Sequence, residues 1–156
     1  MSVAFRRESD EEHREPKFEL PLPPGPNLVT ARGLALIDER IAALEAALAA
    51  APEGDEAARA PIQRDLRYWR ARQLSAELAP VPSGDKVEFG VEVTIALKGA
   101  EKTFRLVGDD EADPAAGSLS FNAPLARAMM GAEPGDLLPF AGQEDAIEVL
   151  AIDVPE

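Results

Sequence analysis

Three clusters of side chains in this sequence are dense enough to suggest chemistry. Asp109, Asp110, Glu111 and Asp113 fall within five consecutive positions, and Glu53, Asp55 and Glu56 surround Gly54. Carboxylates are the oxygen donors that a hard divalent cation prefers, but the first run lacks the ordered ligand spacing and closing Glu of a calcium loop. Both runs read as acidic turns facing water. Arg64, Arg67, Arg70 and Arg72 lie around Tyr68 and Trp69, a combination of charge and stacking surface that could hold RNA. Their helical spacing, with Asp65 and Glu77 nearby, fits an exposed helix face beside a core Trp69 better. His13 is the sole histidine and cysteine is absent, so imidazole triads, multi-histidine zinc sites, thiolate ligands and disulfides are all excluded. No catalytic centre and no stably bound metal of its own are expected.

The elements that must position these clusters follow from periodicity. Thr103 to Val107 alternate as a half-buried strand, and Gly108, the four acids, Pro114 and Gly117 cannot continue it. Leu119 and Phe121 resume the alternation. Asn122 is a favoured N-cap type and Pro124 suits a first helical turn, so Ala123 to Met130 should be a helix closed by Gly131. Upstream, Val87, Phe89, Val91, Val93 and Ile95 alternate with polar residues, and Asp136 to Phe140 and Ala146 to Ile152 supply further strands. The expectation is a small antiparallel sheet crossed by one short helix.

Before it, Leu34, Ile37, Ile41, Leu44 and Leu48 recur at three and four residues, the seam of a coiled coil, with Thr30 as N-cap. The run stops at Ala50-Ala51-Pro52, and Glu53 to Glu56 form a turn. A second helix then carries Ile62, Leu66, Trp69, Leu74 and Leu78, with Pro61 starting or kinking it. A short connection between two apolar stripes favours antiparallel packing. The fold class is therefore α+β, an antiparallel helical hairpin over residues 28–79, a joint at 80–85 and a sheet domain over 86–156. Residues 1–27 hold charges and then Pro16, Pro21, Pro23, Pro24 and Pro26, which favours an extended or disordered arm, with polyproline geometry open to its PLPPGP run.

Charge is distributed unevenly over these parts. Of the net −13, residues 84–156 hold five bases against fifteen acids, whereas residues 30–80 hold seven against eight. So acidic a sheet domain suits a basic protein surface better than a nucleic-acid backbone, and direct DNA binding is expected to be weak or absent. The apolar share is 46% but only 5% is aromatic, which implies a core of Ala, Leu, Val and Ile. No apolar run approaches the roughly 20 residues of a membrane span, and a cytoplasmic protein with no membrane partner is expected.

The strand with its acids, FRLVGDDEAD (104–113), the strand-to-helix step SLSFNAPLAR (118–127), and Met130-Gly131 with Gly135-Asp136 together resemble the C-terminal domain of the Gre family of bacterial transcription elongation factors. KVEFG (86–90) and LVTARGL (28–34) extend the likeness, and the order of hairpin and sheet domain is the family's own. The resemblance implies an FKBP-like sheet domain without prolyl isomerase activity, docked on bacterial RNA polymerase beside its secondary channel. Ser120, Asn122, Ala123, Pro124, Leu125 and Arg127 would then occupy the docking loop and helix start.

It also implies that acids at the hairpin tip, here Glu53, Asp55 and Glu56, share the second Mg2+ of the polymerase active site during cleavage of backtracked RNA. The family's tip motif is matched only at Gly54-Asp55, its second acid falling on Ala58. A first helix of about 20 residues reaches about 30 Å, less than the arm of the cleavage factors. Three readings follow: an elongation regulator acting through the channel, a Rnk-like short-hairpin competitor without cleavage activity, and a protein-interaction adaptor unrelated to polymerase.

Overall fold

The computed structural model describes residues 19–155, so His13 and most of the charged arm lie outside the described residues. By its contacts the chain divides into two compact units. The first takes its structured part from residues 35–76, and the second combines residues 27–34 with 77–156.

In the first unit, helices α1 (Ala31–Ala50) and α2 (Glu56–Ser75) are joined by a tight turn. Their cross-links fix an antiparallel arrangement, because partner numbers rise on one helix as they fall on the other. The Arg59 guanidinium donates to the Leu48 carbonyl at 3.2 Å, Arg70 to Glu45 at 2.9 Å, and the Gln73 amide to Asp38 at 2.9 Å. Along the expected stripe Ile37 and Ile41 are buried, while Leu44 and Leu48 nearer the turn are half-buried. On α2 the stripe differs from the expectation: Leu66 is buried and Trp69 half-buried, but Leu74 is 90% exposed. The buried position after Trp69 is Arg72, three residues on, as helical geometry requires. Trp69 packs edge-on against Tyr68, with the Arg40 guanidinium 5.8 Å from its ring centre. That is the helix-face environment rather than a free stacking platform. Pro61 lies inside α2. Gly25, with φ of 83°, interrupts polyproline geometry in the PLPPGP run.

The second unit begins with a two-stranded sheet that periodicity did not reveal. Strand β1 (Asn27–Val29) pairs with β2 (Ala76–Leu78), so the chain expected to be the end of the second helix is extended instead. The main sheet contains β3 (Glu92–Leu97), β4 (Ala100–Val107), β5 (Ser118–Ser120), β6 (Leu137–Phe140) and β7 (Gln143–Asp153), in the order β5-β4-β3-β7-β6. Two of its hairpins use two-residue turns with both central φ angles positive, Lys98-Gly99 and Ala141-Gly142. Such turns match the right-handed twist of the strands they join.

The sheet is mixed rather than wholly antiparallel. β5 runs parallel to β4, with Arg105 opposite Ser118 and Val107 opposite Ser120. The acids after β4 do not form a simple turn: two 3₁₀ turns, Asp109–Glu111 and Pro114–Ala116, carry the chain back to the middle of β4. A second difference concerns Val87 to Val91. Val87 and Val91 are buried as the alternation requires, yet this stretch precedes the strand, because Val91 donates back to Glu88 and Val87 pairs with Gly131 and Ala132. Helix α3 (Pro124–Met129) packs Ala126 and Met129 onto a core of Val93, Ile95, Leu106, Ile147 and Val149. Leu125 packs against the same core from its edge.

Candidate docking loop and hairpin tip

The step from β5 into α3 brings the sequence-predicted docking residues together. Ser120 ends β5, and its hydroxyl donates to Asp109 Oδ1 at 2.6 Å while accepting the Asn122 amide at 3.1 Å. The Asn122 side chain donates to both carboxylate oxygens of Asp109, at 3.3 and 3.1 Å. Asn122 is therefore not the N-cap expected of it. Ala123 takes that position in extended backbone, with Pro124 as the first helical residue, so the helix begins one residue later than expected. Proline at this position sacrifices no intrahelical donor. Asn122, Pro124 and Arg127 are exposed, whereas Ser120, Ala123 and Leu125 are half-buried beneath them. The Arg127 guanidinium makes no ion pair among the described residues. One carboxylate thus holds two loop side chains in place and leaves an amide, a proline ring and a guanidinium facing outward.

Glu111 does the same for the root of the first helix. Its Oε1 accepts the Thr30 hydroxyl at 2.6 Å, and its Oε2 accepts the Thr30 amide at 3.3 Å and the Gly108 amide at 3.2 Å. Thr30 in turn caps α1, its hydroxyl accepting the Gly33 amide at 3.0 Å. Two glycines make room for this arrangement. A Cβ on Gly33 would lie within 2.3 Å of Glu111 Oε2, and one on Gly108 within 2.4 Å of the Leu28 carbonyl oxygen. Sequence reasoning assigned Asp109 and Glu111 to a solvated turn. Thr30 and Glu111 are 81 positions apart, and no local pattern links them.

At the hairpin tip Asp55 is the N-cap of α2, its Oδ1 accepting the Ala58 amide at 3.2 Å. Glu56 occupies the first turn, where a negative charge complements the helix dipole. Glu53 is exposed. Arg59 lies among these acids, donating to the carbonyls of Leu48 and Ala51 and so satisfying the last turn of α1. Among the described residues no group of three or more His, Cys, Asp or Glu side chains is arranged to hold a metal ion, and no helix is long and apolar enough to cross a membrane.

Comparison with known proteins converges on the sheet domain. A family model described as the C-terminal part of the transcription elongation factors GreA/GreB matches residues 82–154. The chain is 42% identical over 74 residues to transcription elongation factor GreA of Rhizobium etli (strain CIAT 652), covering 45% of this chain and 47% of that protein. It is 35% identical over 98 residues to GreA of Thioalkalivibrio sulfidiphilus, covering 58% and 62%. The chain thus spans about half the length of the curated relatives it matches. Among solved structures, a GreA/GreB factor from Nitrosomonas europaea aligns over 83% of this chain and 99% of its own, at 16% identity and a TM-score of 0.39. The GreA factor homolog Gfh1 of Thermus thermophilus aligns over 82% and 99%, at 16% identity and a TM-score of 0.38. Residues 82–154 are thus similar to the C-terminal domain of the GreA/GreB transcription elongation factors, and the likeness to the curated relatives covers about half of each chain.

Proposed function

We propose that this protein is a regulator of transcript elongation that binds bacterial RNA polymerase at its secondary channel, with no catalytic centre of its own. The observation that carries this reading is the Asp109-braced loop within the GreA/GreB-type domain, where Asn122, Pro124 and Arg127 form the exposed edge. A rigid loop loses little entropy on docking, which favours specific recognition of a protein surface. The domain's net charge of −10 over residues 84–156 supports a basic protein partner and disfavours direct DNA binding. Its working compartment is then the cytoplasm, where polymerase resides.

Whether the hairpin stimulates cleavage turns on its tip. Glu53, Asp55 and Glu56 would be the acids offered to a shared Mg2+, whose remaining ligands the polymerase would supply. Three observations favour the second reading, a channel-occupying competitor of the short-hairpin kind. Asp55 already serves as an N-cap, and the Arg59 guanidinium adds a positive charge to the tip. Helices of 20 residues also span only about 30 Å.

Transcript cleavage in backtracked elongation complexes, measured beside polymerase capture, tests both readings. Capture that weakens at least about tenfold in Arg127→Glu supports the docking loop, since reversing an interfacial charge costs more than about 1.4 kcal/mol. Cleavage that disappears in Asp55→Ala supports shared metal chemistry, and capture without cleavage supports the competitor. Absence of capture leaves the adaptor reading and overturns the polymerase proposal.

A further inference from the structure

A second concave surface, separate from the docking loop, lies within the sheet-domain unit. It is a groove of about 290 Å³ with walls formed by Leu78, Pro80, Pro82, Phe89, Val154 and Pro155. The walls are apolar and stiff. Four of the six residues are proline or aromatic, and Phe89 is itself held edge-on against Phe121, with ring centres 5.2 Å apart. The cations lining the groove are Arg32 and Arg105.

Arg105 is the unusual one. It projects from β4 on the face opposite Phe104 and Leu106 and is half-buried, and while its backbone amide donates to Gly117, its guanidinium has no hydrogen-bond or ion-pair partner among the described residues. Yet residues 84–156 supply fifteen acids against five bases. Glu92 stands opposite it in the strand register but forms no ion pair with it. Glu111 lines the same groove, but both its oxygens are engaged by Thr30 and Gly108. A half-buried guanidinium with no acid partner among the described residues is placed to receive an oxyanion brought by a ligand.

The geometry points to a binding site for a small amphipathic anion, a flat apolar body carrying one carboxylate, sulfonate or phosphate, with the acid on Arg105 and the body between the prolines and Phe89. Proline and aromatic rings suit a planar body, and a planar, five-donor guanidinium suits an oxyanion. The cavity is at the small end of the range for such ligands.

The test uses the full chain and 8-anilinonaphthalene-1-sulfonate, titrated by fluorescence and by amide NMR shifts. Saturable binding with shifts centred on Val81, Gly90 and Glu111 is the expected result. Arg105→Gln should weaken it about tenfold or more, as loss of a charge-assisted hydrogen bond implies, and Arg105→Lys should restore most of the affinity. The uncharged analogue N-phenyl-1-naphthylamine should bind wild type and Arg105→Gln alike. The proposal is overturned by shifts centred elsewhere, by equal sulfonate binding to wild type and Arg105→Gln, or by no saturable binding at all. Val81→Glu, at an exposed rim position that tolerates charge, repeats the test without touching Arg105 and should also weaken sulfonate binding.

Discussion

At the hairpin tip and after strand β4 the chain passes through two short acidic stretches of similar composition, Glu53 to Glu56 and Asp109 to Glu111. At the tip, the Asp55 carboxylate accepts an amide three residues along, at the start of its own helix, and Glu53 and Glu56 face solvent. After β4, Asp109 holds side chains 11 and 13 positions away, and Glu111 holds Thr30 across 81. The difference teaches that acid density says little about role. What matters is whether fixed N–H and O–H donors converge on the carboxylate, since a carboxylate with satisfied lone pairs becomes structural and one surrounded by water remains available.

The strongest test of that contrast is Gly108→Ala. Its Cβ would press on the Leu28 carbonyl, which is backbone and cannot swing aside, so a loss of about 3 kcal/mol in chemical denaturation is expected. A loss below about 1 kcal/mol would mean that the junction between β1 and the acidic turn is looser than the contacts imply.

Glu111→Ala comes next, at about 2 kcal/mol, because it strips the acceptor from one hydroxyl and two amides that are only partly open to water. Amide exchange at Thr30 and Gly108 should accelerate while amides of the β3 core stay protected. If exchange at these two amides is unchanged, Glu111 is no more structural than the tip acids.

Asp109→Ala should cost about 1 kcal/mol in stability, given the exposure of Asn122, and under the proposed function it should weaken polymerase capture more than it weakens the fold. Equal effects on capture and stability would remove its special link to the docking loop.

At the tip the changes are smaller. Asp55→Ala removes an exposed N-cap and should cost just under 1 kcal/mol, while Glu53→Gln should stay within about 0.5 kcal/mol. Trp69 is the sole tryptophan and lies on α2, so its fluorescence reads both changes in the hairpin itself. A Glu53→Gln effect as large as that of Glu111→Ala would erase the distinction between the two stretches.

Much of the molecule was legible before its structure was known. The three- and four-residue recurrence from Leu34 to Leu48 announced α1, with Thr30 as its cap, and of the alternation expected from Val87 to Ile95 the part at Val93 and Ile95 announced a buried strand face. These features depend on neighbours within a few positions, where periodicity is a direct record of which face meets the core. Leu74 and Leu78 were misread for an instructive reason. An apolar side chain near a helix end satisfies the pattern whether or not the partner surface extends that far, and here the seam ends in Arg72 and the chain becomes β2.

Sequence by itself determined the order of helical hairpin and sheet domain, the family likeness of that domain, the absence of cysteine thiols and the concentration of negative charge in the second half. Composition, periodicity and motif spacing are local properties of the chain. Tertiary structure alone decided that β5 runs parallel to β4, that Asp109 braces the loop between β5 and α3, that Glu111 anchors the start of α1, and that Arg105 lines an apolar groove with no ion-pair partner among the described residues. Each of these depends on which distant donors, carbonyls and rings arrive at one point in space. No period along the chain records that convergence.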